Sequence, residues 1–199
     1  MSKRARLAAG AAIVAIGAAG CGASSSAGGG QASKPSKTSA PEVNPPGDIP
    51  DNQAYVAYAP PGGGFSVKVP EGWSRSTAGG AVVFTDKLNA IRLETKAAQV
   101  PLTARDARQT ELPKLASSVS GFHPGNVTTV ARKAGTAVRM TYLAKANPDP
   151  VTGKAGVDAV ERYVFFHNGK DVILTLSGPK GADNVDPWKI VSDSVTWSR

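Results

Sequence analysis

The chain has few of the residues that metal sites and disulfide bonds require. Its 199 residues include one cysteine, Cys21, and two histidines, His123 and His167. A single cysteine leaves no partner for a disulfide bond within the chain. Zinc needs three or four converging ligands, and neither histidine has another at ligand spacing, so no metal site is expected. We expect no cofactor, and the fold must be held together by its hydrophobic core alone.

Long hydrophobic runs are also missing. The apolar stretch that begins at Leu7 covers about thirteen residues. At ~1.5 Å per residue, such a helix reaches roughly 20 Å, which is short of the ~30 Å hydrocarbon core of a bilayer. This length suits the hydrophobic region of a signal peptide better than a permanent membrane span.

The residues around this stretch carry a recognisable pattern. Lys3, Arg4 and Arg6 precede it, and the small residues Ala18-Ala19-Gly20 lead into Cys21. This layout resembles a bacterial lipoprotein signal peptide with its lipobox. The resemblance implies a signal peptide over residues 1–20, a diacylglyceryl group on the Cys21 thiol, and acylation of the new amine. Membrane lipid would then hold the protein on the extracytoplasmic face of the cell membrane, stably because each buried methylene contributes about 0.8 kcal/mol. An ordinary secretory signal, or a chance run of Ala and Gly, is the alternative.

Residues 21–53 are predicted to be the lipidated cysteine followed by a linker. The segment from Gly22 to Gln53 is rich in Ser, Gly and Pro and has almost no large apolar residue. It therefore cannot bury enough surface to offset the entropy of ordering itself. The remaining residues, 54–199, are enough for one domain with one core. Glycans on the linker, or a partner bound to it, remain alternatives.

Charge gives weak information about partners. The full chain has a formal net charge of +8. Removal of the three basic residues of the signal leaves 20 basic and 15 acidic residues, a net charge of +5. The excess is spread along the chain, so it indicates solubility and a weak attraction to anionic surfaces. No basic-aromatic motif appears, and nucleic-acid binding is not expected.

Strands dominate the predicted secondary structure, because apolar and polar residues alternate with period two. The Asn168-Gly169 pair between the sixth and seventh strands is a strong hairpin signal. A first helix is predicted after Thr103, with Asp106 completing its cap and Pro113 kinking or splitting it. A second is predicted at Pro187. The predicted strands are Phe65–Val69, Ala81–Thr85, Ile91–Lys96, Val127–Lys133, Ala137–Lys145, Val157–Phe166, Val172–Ser177 and Val195–Trp197.

This order of elements predicts an α+β domain, a central antiparallel β-sheet with helices packed on it. The sixth strand is apolar on both faces, with Val164 and Phe165 pointing in opposite directions, so it should be central and covered on both sides. The segments FSVKVPEGW, from Phe65, and WKIVSDSVTW, from Trp188, resemble the opening and the end of PsbP-like domains. A similar architecture occurs in LpqN-type lipoproteins. The resemblance implies an α-β-α sandwich and a binding or assembly module, with no functional residue carried over.

The residues that could support chemistry form no convincing catalytic set. Ser117, Ser118 and Ser120 lie near His123 in sequence, but the G-x-S-x-G nucleophile motif is absent. Asn147-Pro148-Asp149 with Asp158 has too few acidic oxygens for calcium. The loop Gly178-Pro179-Lys180-Gly181 is either a simple turn or an anion cradle before a helix. The protein is therefore predicted not to be an enzyme.

Three functions from different classes remain open. The first is a lipid-anchored, non-catalytic binding or assembly module that contacts an unknown envelope protein through its sheet or loops. The second is a carrier of an apolar small molecule or lipid in a pocket between the sheet and a helix. The third, an envelope hydrolase, is disfavoured by the residues present.

Overall fold

A computed structural model describes residues 45–148 and 153–198, which belong to one compact unit. Cys21, the predicted signal peptide, most of the predicted linker and Asp149 lie outside the described residues. The strands are β1 Tyr55–Tyr58, β2 Phe65–Pro70, β3 Ser74–Ala78, β4 Ala81–Asp86, β5 Asn89–Ala97, β6 His123–Arg132, β7 Gly135–Lys145, β8 Val157–His167, β9 Lys170–Pro179 and β10 Thr196–Trp197. The helices are α1 Ala104–Asp106, α2 Leu112–Ser118, joined to α1 by a π-helical segment Ala107–Glu111, and α3 Val185–Asp193.

Seven of the strands form one antiparallel sheet in the order β3-β4-β5-β9-β8-β7-β6. Strand β8 lies between β9 and β7, and residues on both of its faces are buried, Tyr163 on one and Val164 on the other. The prediction of a central strand covered on both sides is confirmed. Because each apolar face of the sheet must pack against another element, both faces are covered by a further layer.

The first face is covered by the helical segment that runs from α1 to α2. Ala107 and the partly buried Leu112 pack on Val138 and Met140 of the sheet. The predicted cap is confirmed, because the Asp106 amide donates to Thr103 Oγ1 at 3.1 Å. Pro113 lies in the first turn of α2, directly after the π-helical segment. Proline has no N–H to donate and its ring crowds the preceding turn, so the helix widens there into the π-helical segment. The predicted interruption of the α-helix is present, but the backbone stays helical from Ala104 to Ser118 and is not split.

The second face is covered by α3 and by a small sheet of order β1-β2-β10. Phe65 and Val67 of β2 and Val191 of α3 pack against the large sheet in the main core. Helices therefore lie on both sides of a central antiparallel sheet, and the predicted α+β class is confirmed.

Strands β1 and β3 were missed by the sequence prediction. All five residues of β3, SRSTA, are exposed, so this strand has no buried face to produce an alternating pattern. It forms because its backbone pairs with β4, from Ser74 opposite Thr85 to Ala78 opposite Ala81. Backbone pairing with the next strand leaves no pattern in the side chains of β3, so the sequence does not reveal this strand.

Residues 45–53, which the composition assigned to the linker, contact the domain in the structure. Ile49 is buried, and its amide donates to Asn184 Oδ1 at 2.8 Å. The Gly47 carbonyl accepts hydrogen bonds from Asn89 Nδ2 and Asn184 Nδ2, both at 2.9 Å. The ordered contacts thus begin before Ala54, because one isoleucine and two buried asparagines hold the polar segment that precedes it.

The same contacts distinguish the two ends of the large sheet. We call the entry end the one where Gly47 and Ile49 pack, beside the β4–β5 turn and the first residues of β8. The distal end is the opposite one, with the β6–β7 turn, the β8–β9 turn and the last residues of α3. Strand β8, with 11 residues, separates them by about 35 Å at ~3.3 Å per residue.

Candidate ligand-binding cleft

An apolar cleft lies between α3 and the sheet at the entry end. It has a volume of about 360 Å³, and we call it the Trp188 cleft after its largest wall residue. Trp188 is presented from the first turn of α3, because Pro187 and Val191 of the same helix are buried against the core. The opposite walls come from three strands and include His123, Pro124, Gly125, Thr141, Leu143, Ala159 and Glu161.

A β-bulge in β6 shapes one wall of the cleft. The pairing of β6 with β7 shifts register between Pro124 and Val127, and the Asn126 amide donates to Thr141 Oγ1 at 2.8 Å. A side chain at Gly125 would bring its Cβ within 2.5 Å of Thr141 Oγ1, so only glycine fits there. Bulges of this kind bend a strand and redirect its side chains.

The polar wall of the cleft is Glu161, and its charge is compensated. Arg139 Nη1 lies 3.4 Å from Glu161 Oε1, and the Tyr163 hydroxyl donates to Glu161 Oε2. Arg139 Nε is buried and has no hydrogen-bond partner in the described part of the chain. The carboxylate is thus engaged on both oxygens, so the cleft presents an almost neutral, mainly apolar surface.

The hydroxyl of Tyr163 continues this network towards α3. Arg132 Nη2 donates to it at 3.1 Å, and Arg132 Nε lies 3.0 Å from Ser192 Oγ and 3.5 Å from Asp193 Oδ1. Burial raises the pKa of Tyr163, the hydrogen bond and charge of Glu161 raise it further, and Arg132 opposes both effects. The phenol therefore stays protonated at neutral pH and remains a donor to Glu161.

The two histidines predicted as candidates lie at opposite ends of the sheet. His123 begins β6 and lines the Trp188 cleft. His167 ends β8 at the distal end, where its ring stacks on Trp197 with centroids 4.5 Å apart. The Ser117 and Ser118 hydroxyls donate to the Lys114 carbonyl at 2.8 and 2.9 Å, so both are used within α2.

The loop Gly178-Pro179-Lys180-Gly181 reverses the chain. The Ala182 amide donates to the Pro179 carbonyl at 3.0 Å, the Lys180 amide to Val157, and the Asp183 amide to Asp48 Oδ1 at 2.9 Å. These three amides are therefore used by the protein itself, which favours the simple turn over the anion cradle. Gly178 packs so tightly that a Cβ would lie 2.2 Å from Asn89 Oδ1.

Residues 45–148 and 153–198 contain neither a metal-binding cluster nor a membrane-spanning helix. No group of three or more His, Cys, Asp or Glu side chains in these ranges is arranged to hold a metal ion. None of the helices described is long and apolar enough to cross a membrane. Of the residues considered for calcium, Asp149 lies outside the described residues. Burial raises the pKa of the second carboxyl group, Asp158.

Sequence reasoning located part of the cleft and missed the rest. The apolar side of α3, with Trp188, was visible from its spacing, and a pocket between sheet and helix was one of the alternatives. The pairing of Glu161 with Arg139 was not visible, because the two residues lie on different strands. The available signal was two charged residues, Arg139 and Glu161, within strands that are otherwise largely buried.

Comparison with known proteins gives similarity in structure only. No protein-family model and no curated protein sequence matches the chain. The solution structure of the cyanobacterial PsbP protein, CyanoP, from Synechocystis is similar with a TM-score of 0.51 and 17% identity, over 73% of this chain and 93% of CyanoP. The fold is PsbP-like.

Other solved structures are similar to the PsbP-like domain at lower scores. LpqN of Mycobacterium tuberculosis, described as involved in cell envelope biogenesis, has a TM-score of 0.42 and 14% identity, over 79% of this chain and 91% of LpqN. A structure from Bacteroides thetaiotaomicron has a TM-score of 0.49 and 16% identity, over 72% of this chain. The match covers 48% of that protein, so this chain spans about half of its length.

Proposed function

We propose that this protein is a lipid-anchored, extracytoplasmic binding module that holds an apolar group of its partner in the Trp188 cleft, without catalysing a reaction. The cleft carries this proposal. It joins an aromatic wall, Trp188, to apolar walls from Leu143 and Ala159, and its carboxylate, Glu161, is already paired. Binding sites for apolar groups are typically concave and mainly apolar with a few placed polar groups.

The size of the cleft favours a small occupant. Its volume of about 360 Å³ is near the lower end of the ~300–1,000 Å³ that is typical of ligand pockets. An aromatic or aliphatic side chain of an envelope protein fits this description. The lipobox at Cys21 supports the location proposed for that encounter, outside the cell membrane.

A carrier of a small apolar molecule is the second candidate. The observation that favours it is the position of the cleft at the entry end of the sheet, where the chain that leads back to Cys21 enters the domain. A molecule that leaves the membrane would meet this end. The same cleft therefore serves both candidates, and they differ in what is bound.

Photo-crosslinking in intact cells tests the cleft and separates the two candidates. A photoreactive amino acid replaces His123 at the rim of the cleft. We expect a crosslinked product, which is a discrete protein for the binding module or a small-molecule adduct for the carrier. In the same chain, Ala159→Leu places a larger side chain in the cleft. A bound group would then be overpacked at a cost of about 1–3 kcal/mol, so the yield of the crosslinked product should fall roughly tenfold.

The matched control is Ala131→Leu, an equal enlargement at an exposed position of β6 outside the cleft. It should leave the yield unchanged. Equal yields for both variants and the parent chain would show that the cleft is not the binding site. Labelling of the chain by a serine-reactive probe would instead favour the hydrolase.

A further inference from the structure

We propose that a second surface, the groove along α3 at the distal end, binds a polymer of phosphodiester-linked units outside the membrane. The groove has a volume of about 540 Å³ and lies between α3, β2, β10 and the β6–β7 turn. This inference goes beyond the Trp188 cleft, and it depends on the proposed extracytoplasmic location only for the source of the polymer.

The groove is lined by lysines from three separate elements. Lys68 comes from β2, Lys133 from the β6–β7 turn and Lys189 from α3. The hydrogen bond from the Lys68 amide to Ser194 Oγ, at 2.7 Å, ties β2 to the end of α3 and holds the two sides of the groove together. The three ammonium groups therefore surround one concave surface because of the tertiary fold.

Two carboxylates also line the groove, and one of them is neutralised within the protein. Asp193 contacts both the Arg132 guanidinium, at 3.5 Å, and the Lys189 ammonium. Asp186 lies at the first turn of α3. Within the described chain, neither Lys68 nor Lys133 is in an ion pair with a carboxylate. With Arg132 included, four cations face two anions, so the groove has a net charge of +2.

Charge is separated along the whole domain in the same direction. The distal end adds Lys96 and Lys170 to the basic groove, with Asp171 opposite Lys96. The entry end is acidic, with Lys87, Lys145, Lys154 and Lys180 opposed by Asp48, Asp51, Glu71, Asp86, Asp158 and Asp183. The two ends are about 35 Å apart, and charges are screened over ~8 Å at physiological salt, so each end acts on its own surroundings.

This separation favours a polymer over the membrane as the occupant. The chain that leads to Cys21 enters the domain at the acidic end, and the basic groove lies at the opposite one. The exposed cations of the groove are all lysines, since Arg132 is engaged by Ser192 and Asp193 and its side chain is only 13% exposed. Lysine binds phosphate as a point charge, and the groove exposes no arginine fork that would hold carboxylate or phosphate oxygens in a bidentate manner.

Fluorescence anisotropy with a labelled glycerol-phosphate polymer tests the proposal on the lipidated full chain in neutral detergent. We expect binding at about 50 mM NaCl that weakens steeply towards 300 mM. The double variant Lys68→Gln/Lys133→Gln should weaken binding about tenfold. It should also reduce the slope of log affinity against log salt by about 1.4–1.8, since each lost phosphate contact contributes ~0.7–0.9.

The matched control is Lys87→Gln/Lys180→Gln, which removes the same charge at the entry end and should change the affinity by less than about twofold. Equal weakening by both double variants would show that net charge alone binds the polymer. Equal binding of polyglutamate would overturn the preference for phosphate. Tighter, groove-dependent binding to phosphatidylglycerol vesicles would make the groove a membrane-docking surface, and no polymer binding at low salt would reject the proposal. None of these results bears on the Trp188 cleft, which the crosslinking yields test separately.

Discussion

Glu94 lies on the face of β5 that the sequence pattern predicts to be polar, but in the structure it is partly buried and ion-paired. The alternation in β5 predicts Arg92, Glu94 and Lys96 on a polar face. In the structure, Glu94 Oε1 lies 3.1 Å from Arg92 and Glu94 Oε2 lies 3.2 Å from Arg162 of β8. Burial pushes the pKa of Glu94 up, but the hydrogen bonds and charges of the two arginines outweigh it and leave the pKa below its usual value.

The lowered pKa of Glu94 makes a prediction about stability and pH. A carboxyl group whose pKa is lower in the folded state stabilises the fold above its unfolded pKa, and this contribution is lost as the pH falls through the folded pKa. We expect Glu94→Gln to lower the free energy of unfolding near pH 7. The difference from the parent chain should vanish as the pH falls below the ordinary glutamate value of 4.5. Urea unfolding, followed by tryptophan fluorescence at several pH values, measures this difference.

Two features isolate the effect of Glu94. Burial raises the pKa values of Asp158 and Asp171, so both carboxyls add stability as the pH falls. This opposing trend is common to the parent chain and the variant, and it cancels in their difference. Glu71→Gln removes an exposed carboxylate from the β2–β3 turn and reports the effect of net charge alone. A Glu94→Gln difference that is constant from pH 7 to pH 3 would contradict the ion-pair explanation.

The β8–β9 hairpin is an element whose turn was predictable from two residues. Asn168 and Gly169 both have positive φ angles, 47° and 76°, as the two-residue turn between right-twisted strands requires. The pairing of His167 with Lys170 directly encloses them. The helix from α1 to α2 is a contrasting case, because Pro113 predicts an interruption but does not specify a widened turn rather than a kink.

We expect Gly169→Ala to lower the free energy of unfolding by about 1–2 kcal/mol, because an L residue is strained at this φ. The strain is conformational, since the atom nearest to an added Cβ is the Ala98 carbonyl oxygen at 3.8 Å. Asn168→Gly keeps the positive φ accessible and should change stability by less than about 0.5 kcal/mol. Urea denaturation of both variants measures the two losses. Equal losses would show that packing at the hairpin, and not its backbone geometry, decides its stability.

The molecule as a whole combines a domain whose entry end is held by buried asparagines with a predicted anchor at Cys21. Asn184 bonds to both Gly47 and Asn89, so the chain enters the domain at a defined place beside Pro179. What precedes residue 45 lies outside the described residues. The anchor therefore stays a prediction from the lipobox, and it is tested by labelling.

Metabolic labelling with a fatty-acid analogue should mark the parent chain and not Cys21→Ser, because the thiol is the proposed site of acylation. The Cys21→Ser chain should also leave the membrane fraction, since no acyl chains then hold it there. Ser24→Ala, a change in the adjacent linker, is the matched control and should keep both properties. An unlabelled parent chain, or a Cys21→Ser chain that stays on the membrane as before, would refute the anchor.

Local pattern alone determined the α+β class, most strand positions, the cap at Thr103, the Asn168-Gly169 turn and the expectation of an anchor at Cys21. These depend on neighbours within a few residues, where period, turn chemistry and capping act. Only the tertiary structure decided the pairing of Glu161 with Arg139, the formation of the exposed strand β3, the packing of Ile49 and the gathering of three lysines into one groove. All but β3 join residues that lie on different elements of the chain, and their partners are set by how the layers pack. Strand β3 pairs with the next strand, but with no buried face it has no pattern of its own.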